Sequence, residues 1–170
     1  MEGKIAKKTE SGKSSTKMKK LDFNGLQESS VRDEFRARWD GWLDTVQPGL
    51  IGSTVGVPDT QIIAHPPSLT PIELKRGVII DNRLWVDHVR PAQVRWHSMF
   101  AVARGKSWFI IGARRADQLV LFISAAPIVL ACRPTGILMS GCSALHELQI
   151  DKTRKTSDPI FSDCLRKCVA

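Results

Sequence analysis

The sequence has no apolar run long enough to cross a bilayer as a helix. Its longest apolar stretch, residues 119–132, has 14 residues and contains Pro127, whereas a membrane-spanning helix needs about 20. The first 20 residues are rich in lysine and have no apolar segment of the kind that a secretory signal carries. We therefore expect a protein that is not secreted, that resides in the cytoplasm or the nucleus, and whose cysteines stay reduced.

The common motifs of catalysis and metal binding are also absent. Serine-hydrolase, zinc-protease and paired-carboxylate signatures do not occur. The pairs Cys142–His146 and Cys164–Cys168 have suitable zinc-ligand types, but most zinc motifs use a shorter gap between cysteines. The remaining cysteine, Cys132, and the other histidines, His65, His88 and His97, are scattered. The sequence therefore predicts no enzyme, no metal site and no cofactor.

What the sequence has in excess is positive charge. Lysine and arginine total 25 against 17 aspartate and glutamate residues, which gives a net charge of +8. Two basic regions, residues 1–20 and residues 76–115, flank an acidic region over residues 21–75. A surface of this kind attracts phosphate polymers and anionic membranes.

The first basic region is a lysine-rich arm over residues 1–20. It contains too few apolar residues to offset the entropy of ordering, so the sequence predicts that it is disordered. Its ammonium groups are expected to contact phosphates, with an affinity that falls as salt rises. The predicted phosphate-binding lysines are Lys4, Lys7, Lys8, Lys13, Lys17, Lys19 and Lys20.

The second basic region interleaves arginine with tryptophan. Arginine grips phosphate bidentately, and aromatic rings beside basic groups are typical of surfaces that bind single strands. Trp85 is predicted to stack on bases, because strand alternation places it on the same face as Asp87. The arginines predicted to bind nucleic acid are Arg83, Arg90, Arg95, Arg104, Arg114 and Arg115.

The hydrophobic pattern predicts an α+β fold with one compact domain over residues 21–170. Val31, Phe35, Trp39 and Trp42 recur at helical spacing, which predicts an amphipathic helix over residues 30–46. A connector rich in proline and glycine follows over residues 48–76. Short apolar runs separated by turn residues, the first of them a hairpin with its turn at Asp81–Asn82, then favour an antiparallel β meander or sandwich over residues 77–141, on which the helix packs.

The end of the chain carries clear local signals for a short C-terminal helix over residues 158–169. Asp158 is a favourable N-cap, and Pro159 suits the first helical position. Phe161 and Leu165 share one face of this helix. The predicted fold is therefore a disordered basic arm, a helix, a β core and a second helix.

The function that this organisation favours is non-enzymatic binding of nucleic acid, RNA or DNA, in a structural, assembly or regulatory role. The order of basic arm, proline-rich connector and β-rich domain resembles that of small viral matrix and coat proteins in a general way, without a shared motif. One form of the expected function is therefore a small viral structural or accessory protein, which if viral would be located in the virion. Two alternatives stay open: a matrix-type protein whose lysine arm binds anionic membrane surfaces, and a protein-interaction module that uses the Trp39 and Trp42 helix face. Self-association is also expected.

Overall fold

The structure, a computed structural model, describes residues 21–23, 25–45 and 56–170 of the chain. Four helices and eight strands form within these residues, so the fold is mixed α+β. The helices are α1 (Glu28–Arg38), α2 (Pro91–Val102), α3 (Ala126–Ala131) and α4 (Pro159–Val169). The strands are β1 (Leu43–Thr45), β2 (Thr60–His65), β3 (Ser68–Ile80), β4 (Arg83–Val86), β5 (Trp108–Arg115), β6 (Gln118–Ala125), β7 (Ile137–Leu138) and β8 (Leu145–Glu147).

The strands form a mixed sheet in the order β1-β2-β3-β5-β6-β8. Neighbours in it are antiparallel except β3 and β5, which run parallel with Ile72 opposite Trp108. Parallel neighbours need a crossover connection, and here α2 supplies it, after the chain has left β3 through β4. The first turn of α2 is therefore anchored close to the middle of the sheet.

β3 is the long central strand that joins the main sheet to a smaller one. Its first part pairs with β2 and β5, and its last four residues pair with β4, which in turn pairs with β7. Gly77 lies at the point of transfer, and a Cβ atom there would lie 2.7 Å from Ile111 Cγ2 and 2.9 Å from the Trp85 carbonyl oxygen. Glycine is required because no side chain fits between these atoms.

Helices cover both faces of the sheet, and each face has its own core. On the first face, Val31 and Phe35 of α1 and Phe161 of α4 pack on residues such as Ile72 and Ile110. On the second face, α2 and α3 cover a cluster that includes Phe109, Ile111, Phe122, Ala126 and Val129. Successive residues of β5 alternate between the two cores, as the pleat requires. The result is a three-layered domain.

Two local predictions from the sequence are confirmed. The Asp81–Asn82 turn joins β3 and β4, with Ile80 paired to Arg83 and both turn residues at positive φ. Helix α4 begins at Pro159, and the Asp158 carboxylate accepts hydrogen bonds from the backbone N–H groups of Ile160 and Phe161 at 3.0 and 3.1 Å. Both features depend on local chemistry that tertiary packing does not override.

The predicted helix over residues 30–46 is shorter and starts earlier, at Glu28. It ends at Arg38, because Trp39 adopts an extended backbone and its indole N–H donates to the Trp42 carbonyl at 3.0 Å. Trp39 is only 6% exposed and packs in the core, whereas Trp42 is 48% exposed. The two tryptophans therefore do not share a helix face, and the proposed interaction surface is not formed in that way.

The predicted connector over residues 48–76 is wrong where the structure describes it. Residues 60–65 form β2, and residues 68–76 form the part of β3 that lies in the main sheet. Pro71 itself lies in the ladder, opposite Gln61. The turn at residues 66–67 is the only part outside the two strands between 60 and 76. Pairing between β2 and β3 overrides the local effect of the prolines, because it completes a sheet whose apolar residues are buried.

The purely antiparallel β core predicted over residues 77–141 is also corrected. Residues 91–102 form α2, and residues 126–131 form α3 instead of a strand. The alternation of apolar residues after Gln93 is compatible with a helix too, and Pro91 sets the helix start.

The predicted disordered arm, residues 1–20, lies outside the described residues. None of the helices in the described part of the chain has the length and apolar content needed to span a membrane.

Candidate active site

The residues predicted to bind nucleic acid do not converge on one place. Arg90, Arg95 and Arg104 are exposed at the start, middle and end of the α2 region, while Arg114 is exposed at the far end of β5. Within the described residues none of these four forms an ion pair. The lysines predicted for the arm, from Lys4 to Lys20, lie outside the described residues.

Three of the predicted residues have structural contacts of their own. Arg83 donates to the carbonyl oxygens of Thr135 and Gly136 at 3.1 and 3.2 Å, which ties β4 to the loop before β7. Arg115 pairs with Glu147 at 2.9 Å. Trp85 is half-buried, and its ring lies so close to Gly136 that a Cβ atom there would be 3.0 Å away. The structure therefore gives these side chains contacts that stabilise the fold.

A different group of side chains is brought together in the middle of the sheet. We call it the Glu73 cluster, and its members are Glu28, Asp59, Glu73, Lys75 and Gln93. Glu73 and Lys75 alternate with the core residues Ile72 and Leu74 of β3, so they point to the second face of the sheet. Both are buried, at 1% and 5% exposure. Charged residues are almost never buried to this degree without a partner.

The partners of Glu73 are few. Its Oε1 atom accepts a hydrogen bond from the Gln93 side-chain amide and lies 3.2 Å from Lys75 Nζ. Its Oε2 atom is buried and has no hydrogen-bond partner among the described residues. Burial raises the pKa of Glu73 to about 7, and the negative charges of Asp59 and Glu28 act in the same direction against the opposing effect of Lys75. The Glu73 carboxyl group therefore gains or loses its proton near neutral pH.

Asp59 lies beside Glu73 across the β2–β3 ladder. The last pair of that ladder is Thr60 with Ile72, and Asp59 and Glu73 are the next residues along each strand. The Asp59 carboxylate accepts a hydrogen bond from Arg32 at 2.9 Å. Asp59 is half-buried, so one side of the cluster is open to solvent. The segment before it is packed closely on α2, because a Cβ atom on Gly56 would lie 2.2 Å from the Ala92 carbonyl oxygen.

Helices α1 and α2 complete the cluster from two directions. Glu28, in the first turn of α1, places its carboxylate 3.5 Å from Lys75 Nζ. Gln93, in the first turn of α2, donates from its amide nitrogen to Glu73 while its amide oxygen accepts from the Arg90 backbone N–H at 2.9 Å. Gln93 is therefore held at both ends, which fixes the orientation of the Glu73 carboxyl group.

His97 lies one turn further along α2 and is buried beneath the cluster. Its Nδ1 atom is 2.8 Å from the Ser107 hydroxyl, and its Nε2 atom has no partner among the described residues. Burial lowers the pKa of His97 to about 4, and the charge of Lys75 adds to this effect. The imidazole is therefore neutral at physiological pH and contributes no charge to the site.

Comparison of the chain with protein-family models, curated proteins and solved structures finds no match in any of the three. The assignment of function therefore rests on the chemistry of the Glu73 cluster and on the charge of the chain.

No set of three or more histidine, cysteine, aspartate and glutamate side chains in residues 21–23, 25–45 and 56–170 is arranged to hold a metal ion on its own. The cysteine–histidine combination considered from the sequence is not assembled. Cys164 and Cys168 lie half-buried on α4, where burial raises the pKa of Cys168 to about 11. A Mg²⁺ site has a smaller requirement, because this ion is usually held by one or two carboxylates together with water and substrate phosphates. Asp59 and Glu73 are two carboxylates that the β2–β3 register brings side by side.

Sequence reasoning missed Asp59, Glu73, Lys75 and Gln93. The available signal was the Ile72-Glu73-Leu74-Lys75 segment, in which two opposite charges alternate with core residues. That pattern indicates a charged pair on one face of a buried strand. It was hidden because the surrounding prolines suggested an irregular connector.

His97 makes acid stability a test of this environment. The unfolded imidazole has a pKa near 6.5 and the folded one is lowered to about 4. The unfolded state therefore takes up a proton first, and stability that is complete above pH 6.5 is lost as the pH falls toward 4. We expect His97→Gln to abolish this part of the acid sensitivity, a difference on the order of 3 kcal/mol between pH 7 and pH 4.

Urea unfolding of the wild type and His97→Gln at these two pH values measures the effect. His88→Gln, a change at an exposed histidine, is the matched control. An acid sensitivity that is equal in the wild type and His97→Gln would show that His97 does not stay neutral in the fold.

Proposed function

We propose that the protein hydrolyses phosphodiester bonds of nucleic acid, with a divalent cation held by Asp59 and Glu73. The observation that carries this proposal is Glu73 itself. A carboxyl group that is 1% exposed, with one oxygen unpartnered among the described residues and a pKa raised to about 7, destabilises the fold at neutral pH. Costly groups of this kind are concentrated in functional sites.

A divalent cation resolves the electrostatics of the cluster. The carboxylates of Asp59 and Glu73 repel each other, which is part of the reason that the pKa of Glu73 is raised. A cation between them would favour the ionised form of both and would give the unpartnered Glu73 Oε2 atom a ligand. The Asp59 side chain is 22% exposed, so solvent reaches this side of the cluster. Carboxylate oxygen donors of this kind are the ligands that Mg²⁺ and Mn²⁺ prefer.

The residues of the cluster have distinct roles in the proposed reaction. Asp59 and Glu73 would hold the cation, which would supply a Lewis acid and lower the pKa of coordinated water. Lys75 places an ammonium group next to Glu73, where it stabilises negative charge on the phosphate oxygens in the transition state. Gln93 keeps Glu73 in position. Oxygen from water forms a bond to phosphorus, the bond from phosphorus to the leaving sugar oxygen breaks, one proton leaves the water and one is taken up by the leaving oxygen.

The charge of the chain supports nucleic acid as the substrate. The net charge of +8 favours association with a phosphate polymer. Arg90, which directly precedes α2, and Arg95, on α2, are exposed cations close to Gln93 along the chain. The arm lysines remain proposed contacts to the phosphate backbone. The proposal thus keeps the nucleic-acid binding expected from the sequence and adds catalysis, which the sequence did not suggest.

Cleavage by the full-length chain tests the proposal. End-labelled RNA, single-stranded DNA and duplex DNA are incubated with the purified protein in Mg²⁺, in Mn²⁺ or in EDTA, over a series of salt concentrations. We expect products from at least one substrate with Mg²⁺ or Mn²⁺ and none in EDTA, and we expect binding to weaken as salt rises. Binding without cleavage in either cation would contradict catalysis and would leave non-catalytic nucleic-acid binding as the function.

A further inference from the structure

A groove of about 440 Å³ lies on α2 beside the Glu73 cluster, lined by Pro91, Ala92, Arg95, Trp96 and Met99. Its volume falls in the range of about 300–1,000 Å³ that is usual for small-ligand sites. Nothing in the described part of the chain fills it. The groove is therefore a surface feature that the catalytic cluster does not account for.

The aromatic wall of the groove is rigid. The Trp96 ring stacks on Phe100, with centroids 4.7 Å apart and an interplanar angle of 18°, and it contacts His97 edge-on at 5.1 Å. Trp96 is nonetheless only half-buried, so part of the indole borders the groove. A ring held from two sides offers stacking area at little entropic cost.

The rest of the lining combines exposed apolar surface with positive charge. Met99 is 61% exposed, so its side chain adds apolar surface to the groove. Arg95 is exposed at the rim, and Arg90 is exposed just before the helix begins. An aromatic and apolar wall with guanidinium groups at its edge matches a nucleobase that carries phosphates on its backbone.

The position of the groove connects it to the cluster. Ala92 lines the groove, and the next residue, Gln93, donates to Glu73. Trp96 follows Gln93 by three residues, or about 4.5 Å along the helix axis. Gln93, which contacts Glu73, and Trp96, which lines the groove, therefore lie one turn apart on α2.

We propose that this groove binds an unpaired nucleobase next to the bond that is cleaved, so that the protein acts on single-stranded nucleic acid or on unpaired ends. The inference rests on the proposed function and specifies its substrate class. A base in a duplex is stacked and paired, and it must leave the helix to enter the groove, which costs a few kcal/mol. Unpaired strands therefore bind without that cost.

Two substitutions on α2 provide a matched test. Met99→Glu places a carboxylate in the groove, whereas Val102→Glu places one at a site that is 86% exposed on the same helix and does not line the groove. Both change the net charge equally. We expect Met99→Glu to raise the Kd for a labelled single strand about 10-fold in EDTA, since stacking is worth about 1–3 kcal/mol per base. Binding of the matching duplex should change by the same small factor in both variants.

A second variant, Trp96→Leu, removes the ring while it keeps an apolar side chain, and its circular dichroism spectrum checks that the fold is retained. We expect it to weaken single-strand binding in the same way as Met99→Glu. Equal single-strand losses in Met99→Glu and Val102→Glu, or equal losses for single strand and duplex in Met99→Glu, would overturn the base-binding role. Cleavage in Mg²⁺ or Mn²⁺ that prefers duplex would also overturn it while leaving the proposed function intact, whereas absence of any cleavage would overturn both.

Discussion

Replacing Glu73 by glutamine is expected to lower the rate of nucleic-acid cleavage about 10³-fold, and Lys75→Met is expected to have an effect of similar size. Glutamine keeps the shape of Glu73 and its contact with Gln93, but it removes the charge that holds the cation. Methionine keeps the length of Lys75 without the ammonium group that lies 3.2 Å from Glu73 and that we propose stabilises the phosphate. Single-turnover cleavage of an end-labelled strand at saturating protein measures both rates without contributions from product release.

The chain offers a matched control for each change. Glu147→Gln removes an exposed carboxylate that pairs with Arg115 at 2.9 Å, and Lys167→Met removes an exposed ammonium group that pairs with Asp163 at 2.6 Å. Both controls should cleave at nearly the wild-type rate, because surface pairs contribute little. Rates that fall equally in Glu73→Gln and Glu147→Gln would show that the loss follows net charge and that Glu73 has no special role.

Glu73→Gln is also expected to stabilise the fold at neutral and alkaline pH when no divalent cation is present. The pKa of Glu73 is raised from 4.5 to about 7, so the unfolded chain releases this proton at a lower pH than the folded one. The contribution of Glu73 to wild-type stability therefore falls as the pH rises from 4.5 through 7 and then levels off. The variant lacks this titration. We expect the free energy of unfolding of Glu73→Gln, relative to the wild type, to rise by on the order of 3 kcal/mol across that range.

Denaturant unfolding of both proteins in EDTA at several pH values between 4 and 9 measures this difference. His97 titrates in both proteins, so its contribution cancels in the comparison. The exposed Glu147→Gln change should show no such pH-dependent difference. A difference that stays flat with pH, or that falls as the pH rises, would mean that Glu73 is ionised in the fold across the range and that its environment is not destabilising.

Such a gain in stability from loss of a charged group is expected of functional sites. Lys75 at 3.2 Å offsets part of the cost of burying Glu73, but the pKa of Glu73 is still raised to about 7. A purely structural role would be served as well or better by apolar residues of similar size. The contacts of Glu73 with Lys75 and Gln93 therefore favour a role in binding and chemistry, where stability is often lower than it could be.

The sequence predicted those parts of the fold that local chemistry determines. Helix α4 follows from Asp158 and Pro159, and the β3–β4 hairpin follows from Asp81 and Asn82. Elements that depend on distant pairing were missed. β2 and the start of β3 are strands because they complete the sheet around β5, and residues 91–102 form a helix because β3 and β5 run parallel and need a crossover. A local pattern such as Ile72-Glu73-Leu74-Lys75 indicates a strand, but it reveals neither the strand's distant partner nor the need for a crossover.

The candidate site could not be assembled from the sequence for the same reason. Asp59 lies just before β2, Glu73 lies on β3 and Gln93 lies on α2. Only the ladder register and the crossover bring them together. The predicted arginines were chosen for charge, which locates basic surface but not geometry. Of these, Arg90 and Arg95 are exposed at the start and in the middle of the α2 region, whereas Arg83 and Arg115 are engaged in contacts within the fold.

Calorimetric titration of Mn²⁺ into the metal-free full-length protein is the most direct test, because it requires no knowledge of the substrate. We predict that the wild type binds the cation at pH 8. In titrations done nearer pH 7, where Glu73 is partly protonated, binding should also release protons. Both Asp59→Asn and Glu73→Gln should lose this binding. Glu147→Gln should bind as the wild type does. Equal binding of Mn²⁺ by the wild type and the Asp59 and Glu73 variants, or no binding by any of them, would contradict the account.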